Sequence, residues 1–129
     1  ICCLYPCTPL LKPQYLTDSF ERWQSSNSLY CFPVLEFESN VLRSLKLTET
    51  GEVSSMFSQH ELTRTQDLPQ AYFDAGQFYW GSREAWLSED KIHNHALGYV
   101  LPKYSVVDID DDNDWRFAER LYQAQLELA

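Results

Sequence analysis

Glycine and basic side chains are scarce in this sequence. Its 129 residues include only four glycines, and none of them lies in a GxGxxG or GxxxxGKS/T motif, the loops whose backbone N–H groups usually bind phosphates. Nineteen acidic residues outnumber ten basic ones, which gives a formal net charge of -9. Because nucleic acids are bound mainly through Lys and Arg, this balance argues against a nucleic-acid partner.

The sequence also lacks a long apolar run and a CxxC pair. The segment ICCLYPCTPL is apolar, but Pro6 and Pro9 interrupt it and no basic flank precedes it, so it predicts neither a signal peptide nor a membrane span. Adjacent Cys2 and Cys3 would point to opposite faces of a strand and could not share a zinc ion. Two alternatives remain for the four cysteines: reduced thiols in the cytoplasm, or disulfides outside the cell.

The residues that are present predict one α/β domain over residues 1–129. A chain of 129 residues with 44% hydrophobic residues is enough for one domain with a substantial core and too little for two. ICCLY reads as an interior strand, and Asp18 with Glu21 forms a capping box that predicts a helix over DSFERWQSS. Because the chain starts without Met and inside a predicted strand, we expect the N-terminal part of a larger protein to be missing.

The later segments predict a hairpin, a closing strand and a terminal helix. Residues 41–57 alternate in polarity around Gly51, which is typical of a hairpin arm, and Pro33 indicates a strand edge or a break between strands. SVVDID is predicted as a strand. In WRFAERLYQAQLELA, the spacing predicts a core stripe of Trp115, Ala118, Leu121/Tyr122 and Gln125/Leu126.

The acidic run after this strand allows a calcium loop as one hypothesis. With Asp108 at loop position 1, carboxylates fall at positions 3, 5, 7 and 12 of an EF-hand ligand series, the last being Glu119. An EF-hand needs a helix that enters the loop, and the preceding GYVLPKYSVV is rich in β-forming residues and contains Pro102. The local context therefore does not favour calcium.

A second hypothesis divides the same run between a helix cap and a metal site. Asp111 at the N-cap and Asp114 at N3 would cap the terminal helix. Asp108 and Asp110 are two apart on the predicted strand, so both carboxylates would lie on one face, at the strand end where open α/β sheets bind ligands. Mg²⁺ is often held by one or two carboxylates together with water and phosphate. The alternative is a solvated pair at the sheet edge.

Two other groups of residues have competing interpretations. His93 and His95 could share a metal, but HNHALG is predicted as an exposed loop, which favours solvated histidines. The aromatic and polar side chains of RTQDLPQAYFDAGQFYW fit a sugar pocket, and Phe78 and Trp80 fit a core strand equally well. No GxSxG motif or recognisable nucleophilic cysteine is present, so hydrolase chemistry has no support.

Two long motifs in a fixed order resemble a known family. QDLPQAYFDAGQFYWGSREAW, followed later by VVDIDDDNDWRFAERLY, is similar to the C-terminal part of CMP-nonulosonic acid synthetases, in particular to the pseudaminic acid cytidylyltransferases. ICCLYPCTPLL resembles the family's central strand and Pro-Thr-x-Pro loop, and VLRSLKLTETGEV resembles its hairpin arm, which serves dimerisation. The resemblance therefore covers nearly the whole chain.

This resemblance implies a cytoplasmic enzyme that joins CTP to a nine-carbon keto-sugar acid and releases pyrophosphate with Mg²⁺. It implies a mostly parallel, Rossmann-like sheet, of which this chain is the C-terminal portion, and a homodimer, with no nucleic acid or membrane as partner. The metal would be held by Asp108 and Asp110, which would also be the catalytic residues. Substrate-binding positions carried over from the family are Tyr79, Arg64, Gln66, Asp67, Lys46, Arg43 and Tyr5.

Departures from the family pattern bear on the substrate and on the nucleotide site. Where sialic acid synthetases usually have Asn-Gly and Gln, this chain has Ala75-Gly76 and Tyr5-Pro6, which favours pseudaminic acid over N-acetylneuraminate or legionaminate. The family's Arg- and Lys-bearing nucleotide loop is not in the sequence, so we expect most of the CTP site to lie outside this chain. The rival of another class is a non-catalytic sugar-binding or calcium-binding module.

Overall fold

The computed structural model describes residues 1–127 and has a mixed α/β fold. In this range the strands are β1 (Cys2–Leu4), β2 (Tyr30–Glu36), β3 (Leu45–Leu47), β4 (Val53–Ser55), β5 (Tyr72–Asp74), β6 (Phe78–Gly81) and β7 (Ala96–Val100). The α-helices are α1 (Pro13–Gln24), α2 (Arg83–Leu87) and α3 (Asp112–Glu127). Residues 128 and 129, which end the predicted terminal helix, lie outside the described residues.

The chain divides into two compact units. The main unit consists of Ile1–Leu35 and Asp74–Ala129, and the inserted unit consists of Glu36–Phe73. Within the main unit, the backbone N–H of Ala75 donates to the carbonyl of Pro33 at 3.0 Å. The chain therefore leaves the main unit and returns to it at neighbouring points.

In the main unit, β6 lies between β1 and β2. It pairs antiparallel with both strands, so that Trp80 lies opposite Cys2 on one side and opposite Cys31 on the other. β7 pairs with β2 in parallel, with Leu97 opposite Cys31. Consequently β1, β2 and β7 run in one direction and β6 runs in the other.

The sheet in the described part of the chain is therefore mixed, and the expectation of a mostly parallel sheet is not confirmed beyond an α/β fold. The sequence shows β1, α1 and β2 in succession, a pattern that is typical of parallel neighbours joined by a helical crossover. β1 and β2 do run parallel, but β6 from much later in the chain occupies the place between them. Strand order depends on such distant pairings, which local patterns do not contain.

Pro33 lies inside β2 and not at a strand edge or break. β2 pairs with β7 from Tyr30 to Val34, a stretch that includes Pro33. The backbone groups of Val34 point toward β7, since its carbonyl accepts from Leu101 N–H at 2.9 Å. Neighbouring residues alternate in direction along a strand, so the missing N–H of Pro33 points away from β7 and removes no hydrogen bond of that ladder.

An aromatic layer joins α1 to β6. The ring of Phe20 lies 4.8 Å from the ring of Trp80, and the ring of Trp23 lies 6.4 Å from it. The indole N–H of Trp80 donates to the hydroxyl of Ser19 at 3.1 Å, which satisfies a buried serine. Phe78, two residues before Trp80 and so on the same face of β6, is fully buried, and the core interpretation of this strand is confirmed for Phe78.

α1 begins at Pro13, and the prediction that a capping box at Asp18 and Glu21 opens this helix is wrong. Pro13 lies in the first turn, where its missing N–H and fixed φ angle are favourable. Asp18 lies in the middle of the helix and accepts a hydrogen bond from Tyr99 at 3.4 Å. A proline start has no polar cap signature, which is why the later acidic pair was the stronger sequence signal.

α3 buries a narrower stripe than the sequence predicts. Ala118 is 4% exposed, whereas Trp115, Tyr122 and Leu126 of the predicted core stripe are 55%, 47% and 56% exposed. An amphipathic pattern predicts an apolar face but does not identify what covers it. Among residues 1–127, no helix combines the length and the apolar character that crossing a bilayer requires.

The predicted strand SVVDID is a loop in the structure. Residues 106–109 have no regular secondary structure, and the preceding turn carries Tyr104 at a φ of 62°. The hydroxyl of Ser105 donates to the carbonyl of Pro102 at 2.6 Å and stabilises that turn. A strand needs a partner for its backbone groups, and β propensity alone does not supply one.

The inserted unit contains the antiparallel hairpin of β3 and β4. Lys46 lies opposite Ser54, and the connecting turn has Gly51 at a φ of 86°, a conformation that glycine adopts without strain. Leu45 and Val53 are more than half exposed. The hairpin lies within residues 41–57, where the sequence places the arm.

All four cysteines are free thiols. Cys31 in β2 is buried, whereas Cys3 and Cys7 are exposed. Burial raises the pKa of Cys31 to about 11, so its thiol is protonated at neutral pH. Of the two alternatives for the cysteines, the described structure agrees with reduced thiols.

Candidate functional site

The two carboxylates that the sequence assigns to a metal lie in the loop before α3. Asp108 and Asp110 are both exposed, and they flank the partly buried Ile109. A strand would place both carboxylates on one face, but this segment is not a strand. Within residues 1–127 no group of three or more His, Cys, Asp or Glu side chains is arranged to hold a metal ion.

The carboxylates of Asp108 and Asp110 fit Mg²⁺ as a partial set of ligands. Mg²⁺ keeps several waters and is commonly held by one or two carboxylates together with the phosphates of a substrate. Asp108 and Asp110 are accessible to solvent and supply the carboxylates only. They are therefore suited to a metal that arrives with phosphate, and not to a closed structural site.

Two of the remaining aspartates of the acidic run, Asp111 and Asp114, cap α3, as the sequence predicts. The side chain of Asp111 accepts from the N–H groups of Asp114 at 3.0 Å and Asn113 at 2.7 Å. Asp114 reciprocates, since its carboxylate accepts from the N–H groups of Asp111 at 3.1 Å and Asp110 at 3.2 Å. These backbone hydrogen bonds, led by that from Asp114, lower the pKa of Asp111.

The calcium-loop hypothesis does not fit this geometry. Asp112, Asp114 and Glu119 all lie within α3, so they cannot wrap around one ion as loop ligands. No helix enters the segment, because β7 ends at Val100 and a loop follows. The near match to the ligand series reflects a capped helix start.

A hydrogen-bonded cluster in the main unit is centred on Asp74. The carboxylate of Asp74 accepts from the backbone N–H of Gly76 at 2.9 Å, an Asx turn that orients the side chain. The hydroxyl of Tyr79 lies 3.0 Å from each carboxylate oxygen. Gly76 has a φ of 62°, so the tight turn between these residues depends on glycine.

His93 completes the Asp74 cluster. Its Nε2 lies 3.3 Å from Oδ2 of Asp74, and its ring packs edge-on against Phe32 with centroids 5.3 Å apart. A carboxylate oxygen accepts only, so Nε2 carries the proton and donates. His93 is exposed in a turn, as the sequence predicts, and it also contacts the side chains of Asp74 and Phe32.

Aromatic rings surround the hydroxyl-bearing end of Tyr79. Tyr5 lies 5.3 Å and Phe32 lies 5.6 Å from its ring, measured between centroids. Burial first, and then the negative charge of Asp74, raise the pKa of Tyr79 well above its ordinary value. Tyr79 therefore stays protonated, and its O–H donates a hydrogen bond to Asp74. Of the predicted substrate-binding residues, the structure brings Tyr5 and Tyr79 together.

The other predicted substrate-binding residues lie in the inserted unit. Arg64 and Asp67 pair with each other at 2.9 Å, and both are exposed. Arg43 donates to the carbonyl of Thr63 at 2.8 Å. Lys46 is exposed on β3. Gln66 lies with Asp67 in the 3₁₀ helix Thr65–Asp67.

The sequence places Asp74 among the side chains that fit a sugar pocket and offers His93 as a possible metal ligand with His95, but it does not predict that Asp74, His93 and Phe32 lie together. The Asp-x-Gly spacing in DAGQFY is an Asx-turn signal and could have indicated that the Asp74 side chain is held in place. No comparable local signal exists for His93, which lies nineteen residues from Asp74 in sequence. Only the pairing of the strands brings these residues together.

Comparison with known proteins gives relatives over the whole chain. No protein-family model matches it. Pseudaminic acid cytidylyltransferases of two strains of Campylobacter jejuni are 40% identical over 130 residues, which cover 100% of this chain and 56% of each relative. The chain thus spans little more than half the length of these relatives.

Two more distant relatives carry related names. A Helicobacter pylori protein named pseudaminic acid cytidylyltransferase and UDP-2,4-diacetamido-2,4,6-trideoxy-beta-L-altropyranose hydrolase is 33% identical over 95% of this chain and 24% of its own length. N-acylneuraminate cytidylyltransferase B of Danio rerio is 26% identical over 93% of this chain and 29% of its own length. The resemblance to CMP-nonulosonic acid synthetases that the sequence motifs indicate is thereby confirmed.

Proposed function

We propose that the intact protein transfers a cytidylyl group from CTP to pseudaminic acid, giving the CMP-sugar and pyrophosphate. The observation that carries this proposal is the 40% identity, over the whole chain, to relatives named pseudaminic acid cytidylyltransferase. Because those relatives are longer than this chain, we place most of the CTP-binding groups in the corresponding remainder of the protein. A Rossmann-like, mostly parallel arrangement of the complete sheet is part of this proposal.

Asp108 and Asp110 are the proposed metal-binding and catalytic residues. Mg²⁺, when bound with CTP, would neutralise charge that develops on the phosphates during transfer. The chain contributes two exposed carboxylates on a loop whose far end is fixed by the cap of α3. The backbone N–H of Asp110 donates to Asp114 at 3.2 Å, so the cap holds the backbone of Asp110 close to the helix start.

Each unit carries residues that we propose to be substrate-binding. In the main unit, Tyr79 and Tyr5 offer an aromatic surface together with a fixed hydroxyl. In the inserted unit, Arg43, Lys46 and Arg64 supply positive charge for the sugar carboxylate, and Gln66 and Asp67 add polar groups. Positioning of the sugar hydroxyl for in-line attack on the α-phosphate is the main contribution expected of these residues.

The assembly and the location of the protein are also proposals. The exposed apolar side chains Leu45 and Val53 make the hairpin of β3 and β4 a candidate surface for a homodimer. A monomeric intact protein in light scattering would remove this part of the proposal. CTP is a cytoplasmic metabolite and the four thiols are free, which supports a cytoplasmic enzyme.

Turnover by the intact protein tests the proposed function. Pyrophosphate release is measured with CTP, Mg²⁺ and either pseudaminic acid or N-acetylneuraminic acid, and we expect the higher kcat/KM with pseudaminic acid. D108N and D110N should each lower kcat/KM by about 100-fold or more, as the loss of a group that stabilises transition-state charge does. D112N, in the first turn of α3, is the matched control and should keep near-normal activity. Absence of turnover with every nonulosonic acid would overturn the proposal.

N-acetylneuraminic acid is the second candidate substrate. The relative named N-acylneuraminate cytidylyltransferase B supports it, but at 26% identity against 40% for the pseudaminic acid relatives. The same assay decides between the two sugars, because both reactions release pyrophosphate from CTP. A kcat/KM that is higher with N-acetylneuraminic acid would reverse the order of the candidates.

A further inference from the structure

The Asp74 cluster presents hydrogen-bond acceptors on a partly open surface. The carboxylate oxygens have about four lone-pair positions in total. Gly76 N–H, His93 Nε2 and the single proton of Tyr79 are the donors that reach them. With 28% of its side chain exposed, Asp74 keeps acceptor capacity that a ligand can reach.

Its neighbours in the cluster add acceptors as well. The O–H of Tyr79 donates a hydrogen bond to Asp74, so the Tyr79 oxygen can still accept one. When Nε2 of neutral His93 donates to Asp74, Nδ1 is the acceptor of the ring. Tyr5, which is 48% exposed beside Tyr79, adds an apolar surface. A molecule bound here meets acceptors and an aromatic face.

The negative charge of Asp74 determines which groups of a substrate the cluster can bind. Asp74 is an anion with one exposed histidine beside it, and a second carboxylate or a phosphate placed here would be repelled. The cluster therefore does not suit the carboxylate of a keto-sugar acid or the phosphates of CTP. Hydroxyl and amide N–H groups, which are neutral donors, are the groups that it can bind.

We propose that Asp74 is a specificity-determining residue that accepts a hydrogen bond from a hydroxyl or acylamino N–H on the neutral side of the sugar. This inference rests on the proposed function and adds residues to its sugar site. Tyr79 and the Asx turn at Gly76 fix the direction of the carboxylate. His93 is a positioning residue that acts through Asp74 by binding its Oδ2.

Asp74→Asn in the intact protein tests the first part. The substitution replaces one acceptor oxygen by an NH₂ donor and keeps the size of the side chain. Loss of a hydrogen bond to a charged group corresponds to about a 10- to 100-fold effect, so KM for the sugar should rise by about 10-fold or more. KM for CTP should change by less than about twofold. D90N, which changes an exposed aspartate in the loop before β7, is the control.

Modified sugars identify the bonded group and separate binding from a structural effect. Each hydroxyl or acylamino N–H of the sugar is methylated in turn, and kcat/KM is measured for wild type and D74N. With wild type, we expect methylation at one position to lower kcat/KM by about 10-fold or more. With D74N, the same methylation should lower kcat/KM little further, since the shared interaction is already gone. Methylation at the other positions should lower kcat/KM by the same factor for both enzymes.

His93 is tested by a pair of substitutions. His93→Gln keeps a donor for Asp74 and His93→Leu does not, so the sugar KM should rise about fivefold or more in H93L and recover at least partly in H93Q. H95N is the control, because His95 is an exposed neighbour at a φ of 52° that asparagine tolerates. Thermal melts of every variant show whether it is folded.

The outcomes distinguish this inference from the proposed function. If wild type turns over no nonulosonic acid with CTP, the proposed function fails. If wild type is active but D74N resembles D90N, the inference fails alone. Equal increases in KM for sugar and CTP in folded D74N, or additive losses at every methylated position, would also overturn it.

Discussion

At the scale of single residues, the acidic run is explained by local backbone needs. The first N–H groups of a helix have no partner within it, and Asp111 and Asp114 supply acceptors for those at the start of α3. Asp108 and Asp110 lie before this cap and are free for other chemistry. Two of the five aspartates of the run therefore serve the helix cap.

The cap makes a prediction with a defined pH dependence. Hydrogen bonds lower the folded pKa of Asp111 below its ordinary 3.8. Its charged form therefore stabilises the fold above pH 3.8, and this contribution is lost as the pH falls through the lower folded pKa. We expect D111A to melt below wild type at neutral pH in circular dichroism, and D111N to lie between them because asparagine is a good N-cap.

Melting temperatures measured at acid pH can contradict this prediction. Below the folded pKa, wild-type Asp111 is protonated, so the melting temperatures of wild type and D111N should converge. A difference between them that stays constant from neutral to strongly acidic pH would contradict a charged cap.

Residues also show the limit of sequence reasoning about the site. The cap could be predicted because all of its hydrogen bonds join residues within four positions of each other. The pair of His93 and Asp74 could not, because it depends on where β5, which ends at Asp74, and β7, which follows His93, lie in the sheet. Tyr79 was assigned by family resemblance, and its carboxylate partner became evident only from the structure.

At the scale of elements, one strand glycine is required by packing. A Cβ added at Gly81, at the end of β6, would lie 2.7 Å from Nε1 of Trp86 and 3.0 Å from the ring of Tyr30. Both rings are held, since they pack edge-on at 5.4 Å and the Tyr30 hydroxyl donates to Ala85 at 2.6 Å. The junction of β6 and α2 therefore has no space for a methyl group.

Substitution at this junction gives a stability prediction. G81A should lower the free energy of unfolding by about 1–3 kcal/mol, the usual cost of overpacking a filled core. G98A in β7 is the matched control, because its Cβ would lie 3.3 Å from a methyl group of Val34 and requires a smaller adjustment. Urea unfolding measures both, and a G98A loss equal to or larger than that of G81A would contradict the packing argument.

Helices and strands were predicted well where the sequence signal is local. They were predicted poorly where the structure of a segment depends on the elements packed beside it. The hairpin of β3 and β4 lies where polarity alternates around Gly51, and α3 begins where the cap predicts. SVVDID has the composition of a strand but is a loop, and the apolar stripe of α3 is mostly exposed. In both cases the outcome depends on what lies beside the segment, which the local sequence does not specify.

At the scale of the whole molecule, negative charge accompanies an exposed apolar surface. The formal net charge is -9, and the isoelectric point is about 4.6. Several large apolar side chains of α3 are about half exposed: Trp115, Phe117, Tyr122 and Leu126. Repulsion between like-charged copies opposes contact between such surfaces at neutral pH.

Acidification should therefore cause this 129-residue chain to associate. As the pH approaches about 4.6, the net charge vanishes, and light scattering should show a maximum in association within about one pH unit of that value. Y122S should reduce the scattering, and Q123S, at another exposed position of α3, should not. Scattering that is equal in both variants would exclude the apolar surface as the cause.

The position of β6 between β1 and β2 also fixes the order in which the sheet can assemble. The nitrogen of Ile1 donates to the carbonyl of Gly81 across 80 residues of sequence, so β1 waits for a strand that is synthesised much later. Pairing at such distance requires closure of a long loop, which slows folding relative to local contacts. On the ribosome, β1 and α1 therefore remain without their β6 partner until residues 78–81 have emerged, and the aromatic layer of Phe20, Trp23 and Trp80 forms only then.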